Sequence, residues 1–284
     1  MTIRDAKQAI IQAIEPIYDN REAVNIATLL LDELTGLSKM NQFLQKQSIL
    51  SEDIVIKLKE YMERLSKGEP VQYIIGKAWF MELELMVNAH TLIPRPETEE
   101  LVDSVIKYLK AKGNKKVQIL EIGTGSGCIS IAVAKYYPEA TITSVDISDN
   151  ALTVARKNAH DIGVHINWEL MNFLDTQEWG KLGLFDIIIS NPPYIRKAEA
   201  ATMRTNVLAF EPHTALFVED NDPLIFYKAI HAFCENQLNK KGAVFLEINE
   251  GLGKETAEIF NTNYSVEIKK DMQNKERIIM AYQF

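Results

Sequence analysis

From residue 97 onward, four largely apolar runs, "VQILEIG", "TITSVDI", "FDIIIS" and "GAVFLEI", alternate with helix-like stretches. Strands that read as near-continuous apolar runs must be covered on both faces. Helical segments between them make neighbouring strands parallel. The intervening "SGCISIAVAKYYP", "NALTVARKNAHDIG" and "DPLIFYKAIHAFCENQL" carry helical periodicity, as does "ETEELVDSVIKYLKAKG" ahead of the first strand. The tail, "YSVEIKKDMQNKERIIMAYQF", reads as two strands joined by a polar turn. The expected class is therefore α/β, with a mostly parallel sheet and an antiparallel edge over residues 97–284.

The preceding residues follow another pattern. Ile3, Ala6, Ile10, Ala13, Ile14 and Ile17 share one helical face, and Ile54, Leu58, Tyr61 and Leu65 share another. "DNREAVNIATLLLDELTG" lies between them and ends at Gly36, a natural helix stop. Residues 1–70 are predicted to be a small all-helical domain. Residues 71–96 are predicted to be a connector, in which apolar and polar residues alternate from Phe80 to Val87 with a turn signal at Asn88. A β-hairpin fits that alternation. The formal charge of -8 over 284 residues argues against a chain held non-specifically on a phosphate backbone, which needs a basic surface. Two cysteines, Cys128 and Cys234, cannot build a disulfide framework and fit a reducing compartment. "MTIRDAKQAI" has no apolar signal core, and no run approaches the ~20 residues of a membrane span. A cytoplasmic protein without membrane association, stable nucleic-acid binding or a metal is expected, as a monomer.

"LEIGTGSGCISIA" sets Gly123, Gly125 and Gly127, with Thr124 and Ser126 between them, where a strand turns into a helix. Glycines there let the backbone approach a ligand and aim helix N-terminal N–H groups at it. The spacing is G-x-G-x-G, neither the G-x-G-x-x-G dinucleotide fingerprint nor a phosphate loop with its Lys-Ser/Thr. Asp146 ends the next strand, where a carboxylate accepts from ribose hydroxyls. A nucleoside without phosphates fits best: S-adenosylmethionine. Glu121 is the candidate acid for its ammonium group, and Asn172 or Phe173 for contact with the adenine ring.

The fourth apolar run enters Asn191, Pro192, Pro193 and Tyr194 directly. Adjacent prolines are rigid and end regular structure. The Asn191 amide oxygen and the Pro192 carbonyl are two fixed acceptors, and Tyr194 has a flat face for stacking. Such a set suits a planar substrate carrying an NH₂ group. That nitrogen is a poor nucleophile, because its lone pair is delocalised. Hydrogen bonds to both hydrogens, with the lone pair aimed at a sulfonium methyl, assist rehybridisation, and alignment supplies most of the rest. The proton leaves after methylation, to a loop acceptor or to water.

Asn-Pro-Pro-Tyr after the fourth strand, with the glycine loop, resembles methyltransferases that modify exocyclic or amide nitrogens, of DNA adenine or protein glutamine. "EPVQYIIGKAWFMELELMVNAHTLIPRPETEELV" narrows the resemblance to the bacterial release factor glutamine methyltransferases, the HemK-like or PrmC family. "FEPHTALF" and "DMQNKERIIMAY" also resemble that family. The resemblance implies a Rossmann-like class I methyltransferase domain behind a small helical domain. That helical domain has no catalytic constellation of its own and, with the hairpin from Phe80 to Val87, is expected to dock the substrate. The resemblance also implies methylation of the glutamine in the Gly-Gly-Gln motif of class 1 peptide chain release factors. By resemblance, Gly123 to Gly127, Asp146, Phe173 and Asn191 contact the cofactor, and Asn191 to Tyr194 hold the glutamine. Asn172 departs from the family, which often has Asp there, and "DMQNKERIIM" lacks a glycine often found before its arginine. Two other functions compete. A nucleic-acid adenine methyltransferase needs a basic groove or a target-recognition domain. A regulatory cofactor-binding module has no use for rigid acceptors. Arg95 reads as a link through Glu97 or Glu100, or as a substrate contact. Cys128 reads as a packed core residue, the five histidines show no metal-ligand spacing, and Glu247 reads as a supporting residue near the site.

Overall fold

Thr2 starts the first helix by reciprocal capping. Its hydroxyl accepts from the Asp5 N–H at 3.1 Å, and the Asp5 carboxylate accepts from the Thr2 N–H at 3.2 Å. Helix α1 (Ile3–Ile14) then buries Ile3, Ala6, Ile10 and Ile14. Ile17, expected on that face, lies beyond the helix end and is exposed. Helix α2 (Asn20–Thr35) stops at Gly36, whose φ of +67° is the left-handed cap. Helices α3 (Lys39–Leu44), α4 (Glu52–Ser66) and α5 (Val71–Ile75) complete the unit, whose core joins α1, α2, α4 and α5. The computed structural model describes residues 1–113 and 116–284.

The chain's contacts divide it into two units. One comprises Met1–Lys77 and, unexpectedly, Arg204–Phe210. This late segment is fastened by an Arg204–Glu22 ion pair at 2.9 Å and a hydrogen bond from Asn206 to the Tyr18 hydroxyl at 3.4 Å. The helical unit therefore runs past residue 70 and takes a piece from within the span read as one continuous domain. The second unit comprises Ala78–Met203 and Glu211–Phe284.

A hairpin of β1 (Lys77–Phe80) and β2 (Leu83–Met86) opens the way into the second unit. Its turn falls at Met81 and Glu82, with φ of +47° and +65°, inside the alternating run and not at Asn88. Glu99 accepts from the Met81 N–H at 2.8 Å and Tyr136 donates to the Met81 carbonyl at 2.5 Å, which holds the turn. Then follow α6 (Pro96–Ala111), β3 (Val117–Ile122), α7 (Cys128–Tyr136), β4 (Ala140–Asp146), α8 (Asp149–Ile162), β5 (Asn167–Leu170) and β6 (Phe185–Ser190). A two-residue ladder pairs β7 (Ile195–Arg196) with β8 (Phe217–Val218), and α9 (Thr205–Phe210) and α10 (His213–Leu216) lie between them in sequence. The chain closes with α11 (Ile225–Gln237), β9 (Leu238–Glu247), α12 (Gly253–Phe260), β10 (Tyr264–Lys270) and β11 (Glu276–Gln283).

The sheet order is β10-β11-β9-β6-β3-β4-β5. Five strands from β9 to β5 are parallel, and β11 runs antiparallel between β9 and the outermost β10. Both faces are covered, as the apolar runs require. Ile187 and Ile189 of β6 enter the core shared with α6 and α7, while Ile188 enters the core shared with α11 and α12. The chain leaves β3 to one side through β4 and β5, then returns to its other side at β6. The strand order thus reverses between β3 and β6, where α/β sheets bind ligands at their carboxyl ends. Ile122 and Ser190, the last residues of these strands, are paired, and the Ser190 hydroxyl donates to the Ile122 carbonyl at 2.7 Å. The two strands end level, so the glycine loop and the Asn-Pro-Pro-Tyr loop leave the sheet side by side. No helix among the described residues is long and apolar enough to cross a membrane.

Candidate active site

Gly123, Gly125 and Gly127 all have left-handed φ, +86°, +54° and +81°. A Cβ on Gly127 would stand 3.0 Å from both Ala155 Cβ and Ile131 Cδ1, so this glycine lets α7 pack on α8. A Cβ on Gly125 would meet nothing within 4 Å. Gly125 is one of the residues of both loops that line a cavity of about 640 Å³. Asn158, buried on α8, ties the glycine loop to the hairpin: its Nδ2 donates to the Ser126 and Met86 carbonyls, each at 2.9 Å, and its Oδ1 accepts from the Met86 N–H at 2.7 Å.

Glu121 and Asp146 reach this cavity from the ends of β3 and β4. Asp146 Oδ2 accepts from the Gly125 N–H and Oδ1 from the Ser148 N–H, both at 2.9 Å. It braces the loop with one lone pair per oxygen and retains others for ribose hydroxyls. Burial raises its carboxyl, against those backbone N–H groups. Glu121 is almost fully buried. Its Oε2 accepts from the Ser130 and Ser144 hydroxyls, and its Oε1 has no hydrogen-bond partner among the described residues. Burial pushes this carboxyl up to about 7, the nearby Asp146 charge adds to the effect, and the two serines oppose it. A buried carboxylate oxygen at the cavity wall with no donor fits a cationic amine. Thr124 sits behind the loop, its hydroxyl 2.7 Å from that of Ser144.

Asn191, Pro192 and Pro193 line the same cavity. A Cβ on Gly123 would be 3.8 Å from the Asn191 carbonyl, which brings the two loops into contact. Asn191 Nδ2 donates to Thr98 Oγ1 at 3.1 Å. Tyr194, expected to stack on the substrate, is not among the residues that line the cavity. It packs against the core under α11, and its hydroxyl donates to Glu247 Oε1 at 3.0 Å. Burial raises this phenol strongly, with Glu247 adding to it. This half-buried side chain, held through its hydroxyl, anchors the end of the loop.

Phe173 is buried among Trp179 and Phe233, with ring centroids 5.5 and 5.3 Å away, yet it also lines the cavity. Asn172 is exposed at the cavity edge, and its Oδ1 accepts from the Leu174 N–H at 3.2 Å. Arg95 pairs with neither Glu97 nor Glu100. Its partner at 2.5 Å is the buried Glu211 of "FEPHTALF", which also accepts from the Ile93 N–H at 3.2 Å. This pair ties "IPRPETE" to the segment that follows α9. Burial pushes the Cys128 thiol up to about 12, so its place at a helix start does not make it reactive. Thr98 carried no assignment from sequence, although it lies inside the quoted "IPRPETE" signature. Ser130 and Ser144 carried none either, for they read as ordinary helix and strand residues.

The family model of the methyltransferase small domain matches residues 101–216, and that of the PrmC N-terminal domain matches residues 8–76. The chain is 40% identical to the release factor glutamine methyltransferase of Flavobacterium psychrophilum, over 98% of each chain. It is 36% identical to that of Bacteroides thetaiotaomicron, over 95% of this chain and 96% of the other. The solved structure of a methyltransferase from Pyrococcus furiosus shares the fold at 16% identity and a TM-score of 0.50, over 79% of this chain and 98% of its own. With likeness of this extent running from the helical unit through the sheet, the chain belongs to the release factor glutamine methyltransferase family.

Proposed function

We propose that this enzyme transfers a methyl group from S-adenosylmethionine to the side-chain amide nitrogen of the glutamine in the Gly-Gly-Gln motif of class 1 peptide chain release factors. One observation carries the reading. Asn191, Pro192 and Pro193 line the same cavity as Glu121, the glycine loop and Asp146. When bound, S-adenosylmethionine supplies an electrophilic sulfonium methyl. Glu121 Oε1 would hold its ammonium group, Asp146 its ribose hydroxyls, and the rims at Asn172 and Phe173 its adenine. Asn191 Oδ1 and the Pro192 carbonyl would accept the two hydrogens of the glutamine NH₂. Fixed by the strand end and two prolines, these acceptors need no reorganisation as the nitrogen becomes tetrahedral. Tyr194 would act from behind, holding the loop to the sheet.

Selection of one glutamine among many calls for contacts away from the cavity. The helical unit supplies a candidate surface. Met40, Phe43 and Leu44, one face of α3, are 65%, 65% and 70% exposed, whereas large apolar side chains usually avoid such exposure when grouped. On the hairpin, Trp79 points outward while Ala78 and Phe80 are buried. We assign release factor docking to these surfaces. The test is incubation with methyl-labelled S-adenosylmethionine and either a class 1 release factor or duplex DNA. Label on the release factor is expected. Label on DNA alone would replace the reading with an adenine methyltransferase.

A further inference from the structure

Thr98 and Glu247 come from distant parts of the chain, at the start of α6 and the end of β9, and both are almost fully buried. Thr98 donates its hydroxyl hydrogen to Glu247 Oε2 at 2.7 Å, and Tyr194 donates to Glu247 Oε1 at 3.0 Å. Thr98 Oγ1 also accepts from Asn191 Nδ2 at 3.1 Å. A threonine hydroxyl has one hydrogen. Once committed to the carboxylate, Thr98 can meet Asn191 only as an acceptor. The Asn191 amide has a donor end and an acceptor end. With Nδ2 held by Thr98, Oδ1 is turned away from Thr98.

We propose that Glu247, acting through Thr98, sets the flip of the Asn191 amide, so that Thr98 and Glu247 are positioning residues for methyl transfer. The inference rests on the reading of Asn191 Oδ1 as an acceptor for the substrate NH₂. With the amide flipped, Asn191 would present NH₂ to NH₂, two donors face to face, and one of the two substrate hydrogen bonds would be lost. The same carboxylate holds both ends of the loop, Asn191 through Thr98 and Tyr194 directly. Asn249 Nδ2 adds a donor to the Tyr194 carbonyl at 3.2 Å. One buried group thus governs the orientation of the amide and the path of the four residues that carry it. A carboxylate suits the task because it accepts at both oxygens and donates from neither.

The test uses the full chain with Thr98→Val, Thr98→Ser, Glu247→Gln and the Val/Gln double variant. Valine keeps the shape of threonine and removes the hydroxyl. A glutamine at 247 can turn its NH₂ toward Thr98 and reverse the hydrogen bond to Asn191. Thr98→Val and Glu247→Gln should each lower kcat on the release factor roughly 10–100-fold, the scale of a misaligned reacting group, with KM for cofactor changed less than about threefold. Thr98→Ser should restore most of kcat, and the double variant should be no worse than the poorer single one. If Glu247→Gln does not fold, the valine and serine pair decides. Solvent exchange of the Asn191 side-chain amide, followed by NMR on asparagine-labelled protein, reads the orientation without any substrate. It should be slowed in wild type and Thr98→Ser and faster in Thr98→Val. Unchanged exchange in Thr98→Val would overturn the relay. Faster exchange with wild-type kcat would overturn its part in catalysis. Wild-type protein inactive on a release factor would instead refute the functional reading, and amide exchange would still decide the relay.

Discussion

Asn191 and Glu121 line one cavity and face different demands. Asn191 is half-buried at the cavity wall, and in the proposed reaction it would supply one of two fixed acceptors. Asn191→Ala should lower kcat on the order of 10²–10³, as for a lost preorganised hydrogen bond, while the thermal transition stays near wild type. Steady-state rates on a release factor check this, and near-wild-type turnover would contradict it. Glu121 carries the pH dependence. Burial raises it from its ordinary 4.5 to about 7, so the fold favours its protonated form. That preference stabilises the unliganded protein fully below about pH 4.5 and is lost as pH rises through 7. A bound ammonium reverses it, because a cation beside Oε1 favours the carboxylate. S-adenosylmethionine binding should therefore release protons near pH 7, and affinity should rise between about pH 6 and 8. Calorimetry in buffers of different ionisation enthalpy measures the release. Glu121→Gln should abolish it, and buffer-independent heats in the wild type would contradict the assignment.

At the scale of elements, the three glycines of the loop have separable tasks. Gly127 combines φ of +81° with a Cβ position that would lie 3.0 Å from atoms of α7 and α8, whereas Gly125 has φ of +54° and open space. Gly127→Ala should cost ~2 kcal/mol or more in urea unfolding, from left-handed strain and overpacking together. Gly125→Ala should cost only the strain, ~1 kcal/mol, but its methyl group would enter the ligand space and weaken cofactor binding at least tenfold. Equal losses of stability and affinity in the two variants would contradict this division. Patterns confined to one stretch of chain were legible in the sequence: the glycine spacing, the acid ending β4, the apolar runs and the prolines after β6. What long-range pairing decides was not. The Thr98–Glu247 bond joins residues 149 positions apart, and neither neighbour sequence announces the other. Nothing local to Tyr194 shows that Glu247, 53 positions away, accepts from its hydroxyl. The position of the hairpin turn is not legible, because Met81 and Glu82 lack turn chemistry and are held from outside by Glu99 and Tyr136. Helix α12 went unread because its eight residues, Gly253–Phe260, begin at a glycine and are short for a periodicity.

At the scale of the whole molecule, two units share an interleaved chain, and residues 204–210 belong to the helical unit while both flanks belong to the catalytic one. Simple deletion of the first 77 residues would strip Arg204 and Asn206 of Glu22 and Tyr18. Surface changes are the cleaner probe of docking. Replacing Met40, Phe43 and Leu44 together by serine should leave S-adenosylmethionine affinity unchanged and raise KM for the intact release factor roughly tenfold or more, the effect of removing a few buried apolar contacts. An unchanged KM would place docking elsewhere. The expected losses of turnover all concern one chemical event, the methylation of a single glutamine nitrogen. Peptide mapping by tandem mass spectrometry, on a class 1 release factor incubated with this enzyme and S-adenosylmethionine, measures that event directly. One added methyl group is expected, on the side chain of the glutamine in Gly-Gly-Gln and on no other residue. A release factor left unmodified, or methylated elsewhere, by folded enzyme that binds the cofactor would contradict it.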